Sequence, residues 1–180
     1  MWREGPEHNG QRFSDLNKIK KKTDDLVKAM KRDFPFIEDL SVEYSGPKAV
    51  VHASLRSLDE KMPVPFISDG VNKMLSIYLA LQHESFSHGV VLIDEMENGL
   101  YYDIHVNVSR SMLKFAKDHQ IQLFVTTHSM EYLRSLLPLI EQHPKEFCLL
   151  RTTKDNGSSD IDQFDGEHLR ASLEQNFELR

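Results

Sequence analysis

The chain has 180 residues, a formal charge of −6, 39% apolar and 28% charged residues, and one cysteine. That length holds one domain or one with a small appendage. The charge argues against a globally basic nucleic-acid surface, and no apolar run approaches the roughly 18 residues that a membrane helix needs. Met1 to Pro6 has no apolar signal-peptide core. A lone Cys148 inside Phe147-Cys148-Leu149-Leu150 reads as a buried thiol, with no disulfide within the chain, and a cytoplasmic location is expected.

In chain order, residues 1–12 are polar and read as a frayed start. Ser14 or Asp15 then caps an expected helix to about Asp33, with Leu16, Ile19, Leu26, Val27 and Met30 as its apolar positions. Lys18, Lys20, Lys21 and Lys22 form a basic cluster, either a solvated helix face or a contact to nucleic-acid phosphate. Ser41–Tyr44 and Ala49–Leu55 flank Ser45-Gly46-Pro47-Lys48, an antiparallel hairpin signal. A loop with two prolines leads to Ser68-Asp69-Gly70 and a strong helix whose face is Val71, Met74, Leu75, Tyr78, Leu79 and Gln82.

Val90-Val91-Leu92-Ile93 reads as a strand buried on both faces, ending at the acidic pair Asp94-Glu95. Asp103 is expected to cap a helix through Ile104, Val108, Met112, Phe115 and Ala116. Ile121–Val125 is a second strand, closed by Thr126-Thr127-His128-Ser129. Strand, helix and strand make a βαβ unit with parallel strands. Ser129 caps a further helix with Leu133, Leu136, Leu137 and Ile140 inward. Phe147–Arg151 is a third strand, Asn156-Gly157 a hairpin turn, and Asp165-Gly166 the start of a last helix to about Asn176.

The βαβ reading alone puts Asp94-Glu95 and His128 on one edge of the sheet, where open parallel sheets bind ligands. Such a set suits phosphoryl transfer. One carboxylate holds Mg²⁺, a second polarises attacking water, and a histidine bonds a phosphate oxygen or that water. For His128 by itself a satisfied loop histidine is the plainer reading. Ser68-Asp69-Gly70 is either an ordinary helix cap or a helix N-terminus that attracts phosphate.

Four motifs resemble those of ATP-binding-cassette (ABC) ATPases, in that family's order. Ile67-Ser68-Asp69-Gly70-Val71-Asn72-Lys73 resembles the signature motif, and Val90–Glu95 the Walker B strand with its catalytic glutamate. Glu97-Asn98-Gly99-Leu100 resembles the D-loop in the form used by RecF-like and overcoming-lysogenization-defect (OLD) ATPases. Val125–Ser129 resembles the switch segment with its histidine. No Gly-x-x-x-x-Gly-Lys-Ser/Thr occurs, so the phosphate-cradling Walker A loop is absent from the sequence.

The resemblance implies an α/β, P-loop NTPase-like C-terminal lobe of an ABC ATPase of the RecF/SMC/OLD and AAA type, with parallel core strands, flanking helices and antiparallel hairpins. Residues 1–33 would be the tail of a helical insertion and 34–180 the lobe. ATP and Mg²⁺ are the implied cofactors. Asp94 would support the metal, Glu95 activate water and His128 touch the γ-phosphate. Ser68, Asp69, Gly70 and Asn98 would bind nucleotide, Ser68 and Gly70 across a dimer. The implied partners are a second copy or a missing N-terminal lobe, with DNA or an effector nuclease or toxin beyond it, and no membrane. The implied role is ATP hydrolysis in DNA repair or antiviral (phage) defence, with the isolated chain inactive. The alternatives are a non-catalytic nucleotide-sandwich module and a metal-dependent nuclease using Asp94, Glu95 and Glu97.

Overall fold

The computed structural model describes residues 6–45, 48–155 and 158–175. The chain begins with α1 (Pro6–Leu16) and α2 (Lys20–Asp33), then the hairpin β1 (Ile37–Ser45) and β2 (Lys48–Leu55), whose far side pairs with a short β3 (Met62–Pro63). Next come α3 (Asp69–Gln82), β4 (Val90–Ile93), α4 (His105–Asp118), β5 (Gln122–Val125), α5 (Met130–Ser135) and α6 (Leu137–Gln142). The hairpin β6 (Cys148–Asp155) and β7 (Ser158–Asp165) and the helix α7 (Gly166–Glu174) complete it.

α3 is the packing centre. Val71, Met74, Leu75, Tyr78, Leu79 and Gln82 are all buried, so the expected face is the observed one. Burying one leucine-sized side chain stabilises by about 1.5–3 kcal/mol. α4 turns Val108, Met112, Phe115 and Ala116 into the same core, and the Tyr78 and Phe115 rings meet edge to face at 5.4 Å.

The polar start is not frayed where it is described. Pro6 opens α1, a position that suits its fixed φ and missing N–H. Phe13 and Leu16 are buried, and Gly10 lies so close to β2 that a Cβ there would stand 2.0 Å from the Ala49 carbonyl oxygen. Gly10 is therefore a seat for the β2 backbone within a helix. The single helix expected to Asp33 is two, parted at 17–19, and Ile19 is exposed. Lys18 pairs with Asp15 and Lys22 with Glu84, so part of the basic cluster is neutralised locally.

β4 and β5 pair in parallel, with Ile93 opposite Val125, as the βαβ reading requires. The expected burial of β4 on both faces is wrong. Val91 and Ile93 pack inward with Leu123 and Val125, whereas Val90, Leu92 and Phe124 are exposed, Leu92 by 77%. An apolar run records that both faces shun water, not whether the second cover belongs to the same chain. β6 likewise hydrogen-bonds only to β7 among the described strands and leaves Leu150 open. Cys148 is exposed on the Leu150 face, not buried.

Positions 46–47 and 156–157 lie outside the described residues, and with them the expected Asn156-Gly157 turn; the last helix, expected to about Asn176, ends at Glu174 with Gln175 as its cap. Asp103 does not cap α4; it sits in a 3₁₀ turn, and the cap residue is Ile104 without a side-chain bond. Ser129 does cap its helix, accepting from the Tyr132 N–H, and that helix breaks at Leu136, ahead of Pro138. No helix among the described residues is long and apolar enough to cross a membrane.

Candidate functional site

β4 and β5 end side by side, and the chain leaves each of them into a loop. The Thr126 N–H still donates to the Ile93 carbonyl at 2.9 Å, and the Met96 N–H to the Thr126 carbonyl at 3.0 Å. The two loops are therefore stitched together one residue beyond the ladder. Asp94 and Glu95 stand exposed at this edge, and Met96 behind them is fully buried. That alternation anchors the loop by its apolar residue and presents its acids.

Thr126 connects both acids. Its hydroxyl donates to Asp94 Oδ1 at 2.5 Å and accepts from the Glu95 N–H at 2.9 Å. The Glu95 carboxylate accepts from Asn98 Nδ2 at 2.5 Å. Glu95 itself has φ +46, a left-handed conformation that costs a non-glycine residue roughly 1–2 kcal/mol. The hydrogen bonds on both sides of it hold that conformation.

Glu97 turns the other way and accepts the His128 backbone N–H on Oε1 at 2.9 Å. Burial opposes ionisation of Glu97, but hydrogen bonds from the Thr127 side chain and from the Glu97 and His128 backbone outweigh it. Its pKa lies below the ordinary carboxyl value. Glu97 thereby clasps the loop of His128 while the imidazole side chain stays exposed.

Ser68 caps α3, its Oγ accepting from the Val71 N–H at 3.1 Å. The helix start reaches the acidic loop through backbone. A Cβ on Gly70 would stand 2.0 Å from the Gly99 carbonyl oxygen, and Gly99 has φ +78, which only glycine adopts without strain. Asp94, Glu95, Asn98 and His128 are thus linked within one hydrogen-bonded cluster. Ser68, Asp69 and Gly70 lie beside it, joined through Gly99.

The sequence matches, over residues 2–134, the family model described as "AAA domain, putative AbiEii toxin, Type IV TA system". The chain belongs to that family. It is 31% identical over 103 residues to an "ATP/GTP phosphatase" of Helicobacter pylori, an alignment covering 53% of this chain but only 27% of that protein. Two solved structures share the fold at 12% identity. One, described as "Crystal structure of the SmcHead bound to the C-winged helix domain of ScpA", has a TM-score of 0.62 over 91% of this chain and 52% of its own. The other, from "Structural biochemistry of ATP-driven dimerization and DNA stimulated activation of SMC ATPases", has 0.56 over 89% of this chain and 96% of its own. The expected fold class therefore stands: an AAA/ABC-type ATPase domain with a parallel strand pair and antiparallel hairpins.

Within this AAA domain, sequence reasoning missed two residues at the edge. Thr126 is one of two adjacent threonines, and only the strand register shows that its hydroxyl meets Asp94 and Glu95. Lys73 belongs to the quoted signature segment without a role, yet its ammonium lies on the acidic loop. The donor set bears on the implied Mg²⁺. Among the described residues no three His, Cys, Asp or Glu side chains gather into a metal cage. Magnesium does not need one, because it keeps several waters and takes one or two carboxylates plus phosphate oxygens. An exposed Asp94 fits that mode.

Proposed function

We propose that this chain supplies the acidic half of a nucleotide site in an ATP-hydrolysing machine, and that a lobe carrying the phosphate-cradling Gly-x-x-x-x-Gly-Lys-Ser/Thr loop completes it. The observation that carries this is the cluster at the ends of β4 and β5, where Thr126 ties Asp94 to the Glu95 backbone and Glu97 ties that loop to His128. The open apolar face of Val90, Leu92 and Phe124 supports a covering lobe or a second copy, because exposed apolar patches of this kind mark docking surfaces.

In the completed site Asp94 would hold Mg²⁺, which when bound would neutralise phosphate charge. Glu95 would accept the proton of a water whose oxygen attacks the γ-phosphorus, as the bond to the β-phosphate oxygen breaks and ADP leaves. His128 would bond a γ-phosphate oxygen. Ser68, Asp69 and Gly70, at the positive end of α3, and Asn98 would contact the nucleotide, Ser68 and Gly70 that of a partner. The toxin in the family's description and the DNA-stimulated SMC neighbour are in keeping with an effector or DNA as the wider partner, and we infer a cytoplasmic role in phage defence or DNA repair. The chain by itself should hydrolyse ATP negligibly.

The test is Mg²⁺-dependent hydrolysis by this chain assembled with its phosphate-binding lobe. Glu95→Gln should lower kcat by about 10²–10⁴-fold, the ordinary contribution of a general base. Unchanged turnover in that variant would refute catalysis. It would favour the second reading, a non-catalytic nucleotide-sandwich module, which the missing Walker A loop supports. The nuclease alternative draws less support, since Glu97 is engaged by the His128 backbone.

A further inference from the structure

Lys73 lies in the second turn of α3, one helical turn past Gly70. Its ammonium donates to three backbone carbonyls of the acidic loop: Glu95 at 2.6 Å, Met96 at 3.3 Å and Asn98 at 3.4 Å. An ammonium has three donors and no acceptor, so three carbonyls match its full capacity. The shortest bond goes to the residue whose backbone is strained.

Glu95 is gripped from both sides. Its N–H donates to Thr126 on β5's side, and its carbonyl accepts from Lys73 on α3's side. Only the second grip reaches across to the helix that begins with Ser68-Asp69-Gly70. Gly70 and Lys73, three residues apart and so on neighbouring positions of one helix face, both bear on the loop: one as a seat for Gly99, the other as a clamp on Glu95. A shift at the start of α3 must therefore move the backbone from which the Glu95 carboxylate projects.

We propose that Lys73 is a positioning residue: it sets the orientation of the Glu95 carboxylate and couples it to the signature-like start of α3, without itself touching substrate. This rests on the ATPase reading above. Burial lowers the Lys73 pKa, against the pull of Glu97, Glu95 and Asp94.

Two measurements separate this proposal from that reading. In the first, Lys73→Met, Lys73→Arg and Glu95→Gln are compared in the assembled ATPase. Lys73→Met should lower kcat at least ten-fold while KM for ATP stays within two-fold, and Lys73→Arg, which keeps donors and charge, should retain a third or more. If Glu95→Gln loses activity and Lys73→Met does not, the Lys73 proposal is overturned and the ATPase reading stands. If Glu95→Gln loses nothing, the ATPase reading fails, and the second measurement alone judges the clamp.

That measurement is amide hydrogen exchange of the full 180-residue chain without nucleotide. The Met96, Asn98 and Leu100 amides, which donate to Thr126, Glu95 and Glu97 carbonyls, should exchange at least ten-fold faster in Lys73→Met, while α3 amides from Leu75 to Gln82 keep wild-type rates. Unchanged loop exchange overturns the proposal. Should Lys73→Met lose α3 protection, the Lys73→Arg and Lys73→Gln pair carries the same comparison. Equal loop exchange in those two overturns it.

Discussion

Asp33 is the most buried carboxylate of the core, 1% exposed at the C-terminal end of α2. It accepts from Tyr78 Oη of α3 at 2.7 Å, from Ser111 Oγ of α4 at 2.5 Å, and from Arg32 Nε at 2.9 Å. Arg32 also bonds Ser111. The two helices on either side of the acidic loop are thus clamped to α2 through one side chain. Asp33→Ala removes the shared acceptor and leaves Tyr78 Oη only the Val108 carbonyl at 3.5 Å, Ser111 Oγ the Asn107 carbonyl at 3.0 Å, and Arg32 only Ser111. Breaking a buried ion pair costs about 3–5 kcal/mol. The Arg32 side chain is 46% exposed and regains water, so the lower end, about 3 kcal/mol, is expected. Tyr78→Phe and Ser111→Ala should each cost about 1 kcal/mol, the net worth of one hydrogen bond. The three side chains share one set of hydrogen bonds, so the loss in the triple variant should fall short of the summed singles by about 1–2 kcal/mol. Urea unfolding at pH 7 with matched slopes measures all four. An Asp33→Ala cost below about 1 kcal/mol, or additivity within about 0.5 kcal/mol, would refute the clamp.

Two further outcomes follow from the geometry. Gly70→Ala adds a better helix former, worth up to about 1 kcal/mol, but pushes a Cβ into the Gly99 carbonyl, and neither side of that contact is a flexible side chain. Overpacking of about 1–3 kcal/mol should win, so thermal unfolding should show a lowered Tm, and an equal or raised Tm would show that the loop gives way freely. His105 is 3% exposed against the Tyr132 ring, and burial holds its pKa below the ordinary 6.5, with the Leu100 backbone, Glu131, Glu97 and Asp103 opposing. A depressed histidine pKa means the fold prefers neutral imidazole. Its stabilising share is full above pH 6.5 and is lost as pH falls through 6.5 toward the folded value. Urea unfolding at pH 7.5 and 5.5 should show a smaller acid loss in His105→Phe than in the wild type; equal losses would exclude His105 as the cause.

Much of the edge was legible beforehand, because its cues are local. Four branched or apolar residues followed by Asp94-Glu95, a crossover helix, and a second short strand before His128 suffice to place those groups together once the strands are parallel. Ser68 and Ser129 were legible as caps for the same reason, since a cap bonds a backbone N–H only two or three residues on. Thr126 and Lys73 were not. Thr126 reaches 31 and 32 residues back to Glu95 and Asp94, and Lys73 reaches 22 forward to Glu95, and nothing local marks which of two threonines, or which of many lysines, will make such a contact.

By itself the sequence determined most element types from the hairpin at 37–55 onward, the parallel pair and the acidic edge, since periodicity and turn chemistry act within a few residues; it did not show α1 or its break from α2. Tertiary structure alone decided which apolar residues find cover. Val90, Leu92 and Cys148 carry the same apolar signal as Val91 and Ile93, yet they are exposed, because burial depends on the layer that lies opposite. It also decided what Gly10 and Gly70 touch, since a missing Cβ acquires meaning only when another backbone, at Ala49 or Gly99, arrives to fill the space.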